Sequence, residues 1–289
     1  MLPEFFARHP EIRLAVRPRA EVARRIESLD PDAIHLATEG PLGIAARAHC
    51  LATGRAFTTA YHTQFPEYVH ARTRLPESWT YAWLRRFHAR SDAILVGTAA
   101  LRERLAARGF DRLALWTRGV DTDLYAPGPR ESKLRRPIFL NVGRVAVEKN
   151  LAAFLDLDLP GTKAVVGDGP ARSSLQRRYP DVVFAGTLRG PALASWYRAA
   201  DVFVFPSRTD TFGLVLLEAM ASGTPVAAYP VDGPRDVVLD PRAGVLDEDL
   251  RAAALDLDRS RVRAHALRYS WDEATVQFER CALLRDRYQ

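Results

Sequence analysis

Lysine is nearly missing from this chain. Of its 41 basic residues, only Lys133, Lys149 and Lys163 are lysines; the other 38 are arginines. Such a bias follows genome composition. The arginines are also scattered among 35 acids, with no basic tail or run. The formal charge of +6 therefore argues against a nucleic-acid partner. A basic face meeting a phosphorylated ligand or anionic lipid suits it better. Cysteine is scarce too: Cys50 and Cys281 are too few for a disulfide framework and match no zinc spacing. A reducing, cytoplasmic setting is expected. No apolar run approaches the ~18 residues of a spanning helix. MLPEFFARHPEIRL has no apolar core with a cleavage site behind it, so no signal peptide is read there. Membrane contact, if made, is expected to be peripheral, at the inner face.

What the chain does have is apolar material for a core, 47% of 289 residues, and a length that allows about two domains. Short β-branched runs alternate with helical stretches, the pattern of parallel α/β layers. Strands are expected at Ala33–Ala37, Ala56–Ala60, Ala93–Val96 and Leu113–Trp116, with helices between them. Gly119 to Pro137 has no apolar period and reads as a connection. The alternation then restarts, with strands at Ile138–Val142, Lys163–Gly167, Asp181–Phe184, Val202–Phe205 and Pro225–Ala228. Helices are expected near 148–157, 171–179, 191–199, 213–222 and 249–257, and an amphipathic helix closes the chain from Ser270. In such sheets ligands bind beyond the carboxyl ends of the strands.

Two segments there carry chemistry. In PSRTDTFGLVLLEAMASGTPV, Pro206 to Val226, a strand ends in a polar loop and a helix begins near Gly213. Its first N–H groups and dipole make an anion site. Glu218 lies in an apolar helical run. It either needs a donor partner, which ribose hydroxyls would supply, or occupies the helix's wet stripe. Asp210 and Thr211 could cap that helix as well as touch a ligand. In NVGRVAVEKN, Gly143 follows a strand and brings Arg144 and Lys149 onto a loop. A guanidinium fork with a point cation suits a diphosphate, against the plain alternative of two solvated cations. A lysine kept in so arginine-rich a chain suggests that a compact ammonium is wanted. GDGP, Gly167 to Pro170, would let backbone approach a ligand but is not a full dinucleotide fingerprint.

VGRVAVEKN, VVGDGPARSSL, ADVFVFPSRTDTFGLVLLEAMASGTPVAA and GVLDEDL resemble the donor domain of retaining glycosyltransferases of family four, which have the GT-B fold. AIHLATEGPLG, YHTQFPEYVHAR and WTRGVDTDLY extend the resemblance into the first part. The forms look like the bacterial branch with sulfoquinovosyl-diacylglycerol synthases and GDP-mannose-dependent mannosyltransferases. The resemblance implies an α/β fold of two Rossmann-like domains facing across a cleft. It implies domains at 1–120, acceptor-side and lacking its opening strand–loop–helix, and at 138–269, donor-binding. A linker, 121–137, and a final helix, 270–289, packing back toward the first domain, complete it.

By the same resemblance, the donor is a GDP- or UDP-linked sugar, with no other cofactor and no metal. Arg144 and Lys149 hold its pyrophosphate, and Glu218 its ribose. Asp210 stands where the family's paired acidic motif has glutamate and meets the sugar. Gly143 and the backbone of Thr211, Phe212, Gly213 and Leu214 face sugar and phosphates, and Leu188 meets the base. His62, Asp210, Arg144 and Lys149 form the catalytic set, with Glu39, Gly40 and His62 on the side of a lipid or glycan acceptor. Asp121-Thr122-Asp123 imitates a metal-binding Asp-x-Asp, but falls in the connection, where the family has a Gly-Val-Asp motif. The helix carrying Trp79, Trp83, Leu84, Phe87, Arg85, Arg86 and Arg90 fits either an anionic membrane surface or packing onto a sheet. The expected activity is hexose transfer with retention. The alternatives are a non-catalytic nucleotide-sugar-binding protein and, behind it, a sugar-nucleotide epimerase.

Overall fold

The computed structural model describes residues 18–62, 65–210, 212–255 and 262–282. They fold as two α/β units. Among the described residues, one reaches Val96 and adds Arg102–Ala114 and Glu279–Ala282; the other holds Gly97–Leu101 and Leu115–Phe278.

In the first unit four strands lie side by side in chain order: β1 (His35–Leu36), β2 (Thr58–Tyr61), β3 (Ile94–Val96) and β4 (Leu113–Leu115). β1, β2 and β3 run parallel. Helices α1 (Arg19–Leu29), α2 (Pro41–Thr53), α3 (Phe65–Thr73), α4 (Glu77–His88) and α5 (Ala99–Ala107) alternate with them along the chain. Pro41 opens α2 at its first position and Gly54 closes it in the left-handed conformation, the asymmetry that the sequence suggests. α2 buries Ala46 and Cys50 against Leu36, Phe57 and Phe87. α4 divides its apolar residues: Tyr81, Leu84 and Phe87 turn inward, while Trp79 and Trp83 stay 69% and 41% exposed. Arg47 donates to the carbonyls of Arg86 and Phe87, meeting the open acceptors of that helix's last turn. Between β2 and α4, α3 has Pro66 in its first turn.

The second unit is a six-stranded parallel sheet in the order β10-β9-β8-β5-β6-β7. Its strands are β5 (Ile138–Val142), β6 (Thr162–Val166), β7 (Val183–Gly186), β8 (Val202–Phe205), β9 (Val226–Ala228) and β10 (Gly244–Leu246). Ile138, Leu140 and Val142 join one apolar cluster with Phe203, Phe205 and Leu216. Phe139 joins the other, with Val202, Val204 and Phe154. Period-2 alternation between two dry faces explains why IFLNV and VFVF read as unbroken apolar runs. The strand order reverses between β5 and β8, and that crevice is where a doubly wound sheet opens a ligand site.

Between and after these strands come a 3₁₀ turn (Val147–Lys149), α6 (Leu151–Leu155), α7 (Arg172–Arg178), α8 (Gly190–Ala199), α9 (Leu214–Ala221), α10 (Asp232–Val237), α11 (Leu250–Leu255), α12 (Val262–Ala266) and α13 (Trp271–Ala282). Two expectations change here. The helix over 148–157 is broken at Asn150, which takes φ 52° and sends its side-chain amide to the Pro206 carbonyl, 3.1 Å away. The glycines of GDGP, expected for close approach to a ligand, are each required by backbone packing. A Cβ on Gly167 would stand 1.9 Å from the Gly143 carbonyl oxygen, and one on Gly169 2.4 Å from that of Val145. β10, α10 and α12 had no counterpart in the sequence reading.

Candidate active site

A cavity of about 330 Å³ opens at the carboxyl ends of β5 and β8. That size lies near the lower end for small-molecule sites. Asn141 sends its amide to the Val204 carbonyl (2.9 Å) between the strands, and Asn150 ties the loops that follow them. Gly143, Arg144, Lys149, Asp210, Phe212, Gly213 and Leu214 all line this cavity, so segments some sixty residues apart in the chain form one wall.

The 3₁₀ turn ends on Lys149 and delivers its Nζ to Oδ1 of Asp210 at 2.5 Å. Both side chains are mostly covered, 29% and 22% exposed. The second oxygen of Asp210, Oδ2, is buried with no hydrogen-bond partner among the described residues, an acceptor awaiting a hydroxyl or ammonium. Asp210 is therefore not the cap of α9. The cap position is Gly213, at φ 81°, and no side chain among the described residues caps the helix. The Leu216 N–H turns back to the Gly213 carbonyl (2.9 Å), while Leu214 and Val215 line the cavity at the positive end of the dipole. Arg144 is 60% exposed and 3.8 Å from Glu148, loosely enough held to swing onto a ligand.

Sequence reasoning missed Arg118. It lines the same cavity, its guanidinium 4.5 Å from the centre of the Trp116 ring, and burial draws its pKa below the ordinary value. The signal was the arginine in WTRGVDTDLY, which pattern alone could not bring to this loop. Three cations against one carboxylate, beside an uncapped helix start, make a site for a dianionic group.

Other expected residues lie elsewhere. Glu218 is not among the lining residues. Its Oε2 accepts from the Tyr197 hydroxyl at 2.7 Å, with Tyr125 as a second hydroxyl partner. Burial raises the Glu218 carboxyl, and the tyrosine bonds only partly offset that. The reciprocal effect of burial and the nearby carboxylate pushes Tyr125 up to about 12. So the donor partner demanded for this carboxylate is supplied by the protein. Leu188 packs against the apolar cluster of the sheet. Thr211 lies outside the described residues.

In the first unit, Glu39 and Gly40 follow β1, and His62 directly follows β2, all at strand carboxyl ends. Gly40 starts α2, and Glu39 Oε1 stands 3.3 Å from Nε2 of the buried His88. Asp121 accepts from the backbone N–H groups of Asp123 (3.1 Å) and Leu124 (2.9 Å), so the Asp-x-Asp is a turn device. Among the described residues no three His, Cys, Asp or Glu side chains gather as metal ligands. Nor is any described helix long and apolar enough to cross a membrane.

Two family profiles match the chain: "Glycosyltransferase Family 4" over residues 3–124 and "Glycosyl transferases group 1" over 136–258. The GDP-mannose-dependent alpha-mannosyltransferase of Mycolicibacterium smegmatis is 37% identical over 87% of this chain, which spans 70% of that protein. The sulfoquinovosyl transferase SQD2 of Arabidopsis thaliana is 34% identical over 80% of the chain but is spanned only to 48%. Among solved structures, Anabaena HepE in complex with UDP-glucose superposes with a TM-score of 0.72 at 16% identity, covering 92% of this chain and 82% of that one. Staphylococcus aureus TarM gives 0.71 at 14%, covering 90% and 58%. These distant likenesses share the GT-B fold.

Proposed function

The chain belongs to glycosyltransferase family four, and on that premise we propose that it transfers a hexose from a nucleotide-diphosphate sugar to an acceptor hydroxyl with retention of configuration. The cavity at the β5–β8 crossover carries this proposal, because it joins three cations, an uncapped helix start and an unsatisfied carboxylate oxygen. Lys149, Arg144, Arg118 and the first N–H groups of α9 hold the diphosphate. As the glycosidic bond breaks, negative charge grows on the departing phosphate, and donors already in place stabilise it without reorganisation. Oδ2 of Asp210 takes a hydroxyl of the sugar, and the Lys149 ammonium holds that carboxylate in position. The acceptor hydroxyl attacks from the leaving-group side, with the leaving phosphate as its proton acceptor.

The mannosyltransferase relative supports GDP-mannose as the first donor to test, and the HepE complex supports UDP-glucose as the second. Glu218 is assigned the ribose and Leu188 the base on the family pattern alone. Glu39, Gly40 and His62 are assigned to a lipid or glycan acceptor. Exposed Trp79 and Trp83, with Arg86 in the last turn of the same helix and Arg90 just beyond it, favour peripheral contact with anionic membrane. The testing experiment offers each donor with mixed lipid and glycan acceptors and follows free nucleoside diphosphate. Acceptor-dependent release supports transfer. Saturable donor binding with no release in any mixture would leave a binding protein in its place.

A further inference from the structure

We propose that the second unit carries a separate site for a phosphate ester, at the amino-terminal edge of its sheet. Helix α9 begins at the donor cavity and runs back past the sheet. Its far end, Ser222 and Gly223, precedes β9 and forms one wall of another cavity of about 540 Å³. Arg130, Arg198, Arg242, Arg263 and Asp240 line the rest of the charged surface.

The cations outnumber their partners. Arg130 and Arg136 share the single carboxylate of Asp201. Arg242 is paired with Asp240, which it pulls down to about 2, so that pair cancels. Arg263 spends its guanidinium on the carbonyls of Thr122, Tyr125 and Ala221, which covers the negative end of α9. Its charge has no carboxylate partner among the described residues. Arg198 is half-buried on α8 and makes no hydrogen bond or ion pair among the described residues. Against these stands the Ser222 hydroxyl, 1% exposed and without a hydrogen-bond partner among the described residues. A buried unpaired hydroxyl and an unpaired guanidinium lining one cavity are what a bound oxyanion resolves. The cavity holds more than a bare phosphate, so the ligand class is a phosphomonoester or phosphodiester with a small organic group. A soluble phosphorylated metabolite and a lipid headgroup share that chemistry.

The test is calorimetric titration of the full chain with sn-glycerol 3-phosphate. It is run in the Lys149→Ala background so that the donor cavity does not compete. Saturable binding that weakens about tenfold or more in Arg198→Gln is expected, since one charge-assisted hydrogen bond is lost. Ser222→Ala removes an unpartnered hydroxyl, so it should keep the melting temperature while weakening binding several-fold. Absence of binding in the Lys149→Ala chain, or binding untouched by both substitutions, would overturn the site. Flotation with phosphatidylglycerol against phosphatidylcholine vesicles separates the sources. Arg198-dependent flotation on the former assigns a headgroup, and glycerol phosphate binding without it assigns a free ester.

Discussion

Replacing Lys149 by alanine is the sharpest perturbation of the donor cavity. The substitution acts twice. It removes an ammonium that would make a charge-assisted hydrogen bond to the diphosphate, worth about 1.5–3 kcal/mol. It also strips Asp210 of its 2.5 Å partner, leaving a carboxylate with both oxygens unpaired on the same wall. The first effect alone weakens a nucleoside diphosphate about ten- to 150-fold. The second adds repulsion in the same direction. Adding Asp210→Asn to Lys149→Ala removes that repulsion, so the double variant should bind GDP or UDP better than Lys149→Ala alone, though still below wild type. Titration calorimetry on all three chains, with melting curves to confirm folding, gives the comparison. A folded Lys149→Ala chain that binds GDP and UDP within about twofold of wild type would refute the phosphate assignment.

Three further outcomes follow from the same geometry. Arg118→Gln should weaken UDP and GDP about tenfold, one charge-assisted bond's worth, and flatten the salt dependence of binding; unchanged affinity would remove Arg118 from the site. Glu218 is raised by burial, so it binds its proton more tightly folded than unfolded. The stability tied to that proton is complete below the unfolded value and lost as pH rises through the raised one. Glu218→Gln keeps an acceptor for Tyr197 without that loss, so its urea midpoint should gain on wild type as pH rises above the ordinary carboxyl value; a constant difference would contradict the burial. Gly167→Ala forces a Cβ to 1.9 Å from the Gly143 oxygen and should destabilise by about 2 kcal/mol or more in thermal melts.

The second unit was readable because its strands are buried on both faces. IFLNV and VFVF announce themselves as continuous apolar runs, and the structure sets them side by side. The site loops were readable by chemistry, since Gly143, Arg144, Lys149, Asp210 and Gly213 stand where strands end and line one cavity. What escaped depends on contacts far apart in sequence. The break at Asn150 answers to the Pro206 carbonyl, and Glu218 to Tyr197 and Tyr125. Periodicity carries no information about either partner. Short elements such as α10, α12 and β10 have too few residues to show a period.

The central claim is that a nucleoside diphosphate binds at the β5–β8 crossover. Amide hydrogen exchange with and without GDP or UDP tests it most directly. The account predicts slowed exchange at Gly143, Arg144 and Lys149 and through the Gly213–Val215 start of α9. Saturating nucleotide that leaves those amides unprotected, or protects only amides outside this cavity, would contradict it.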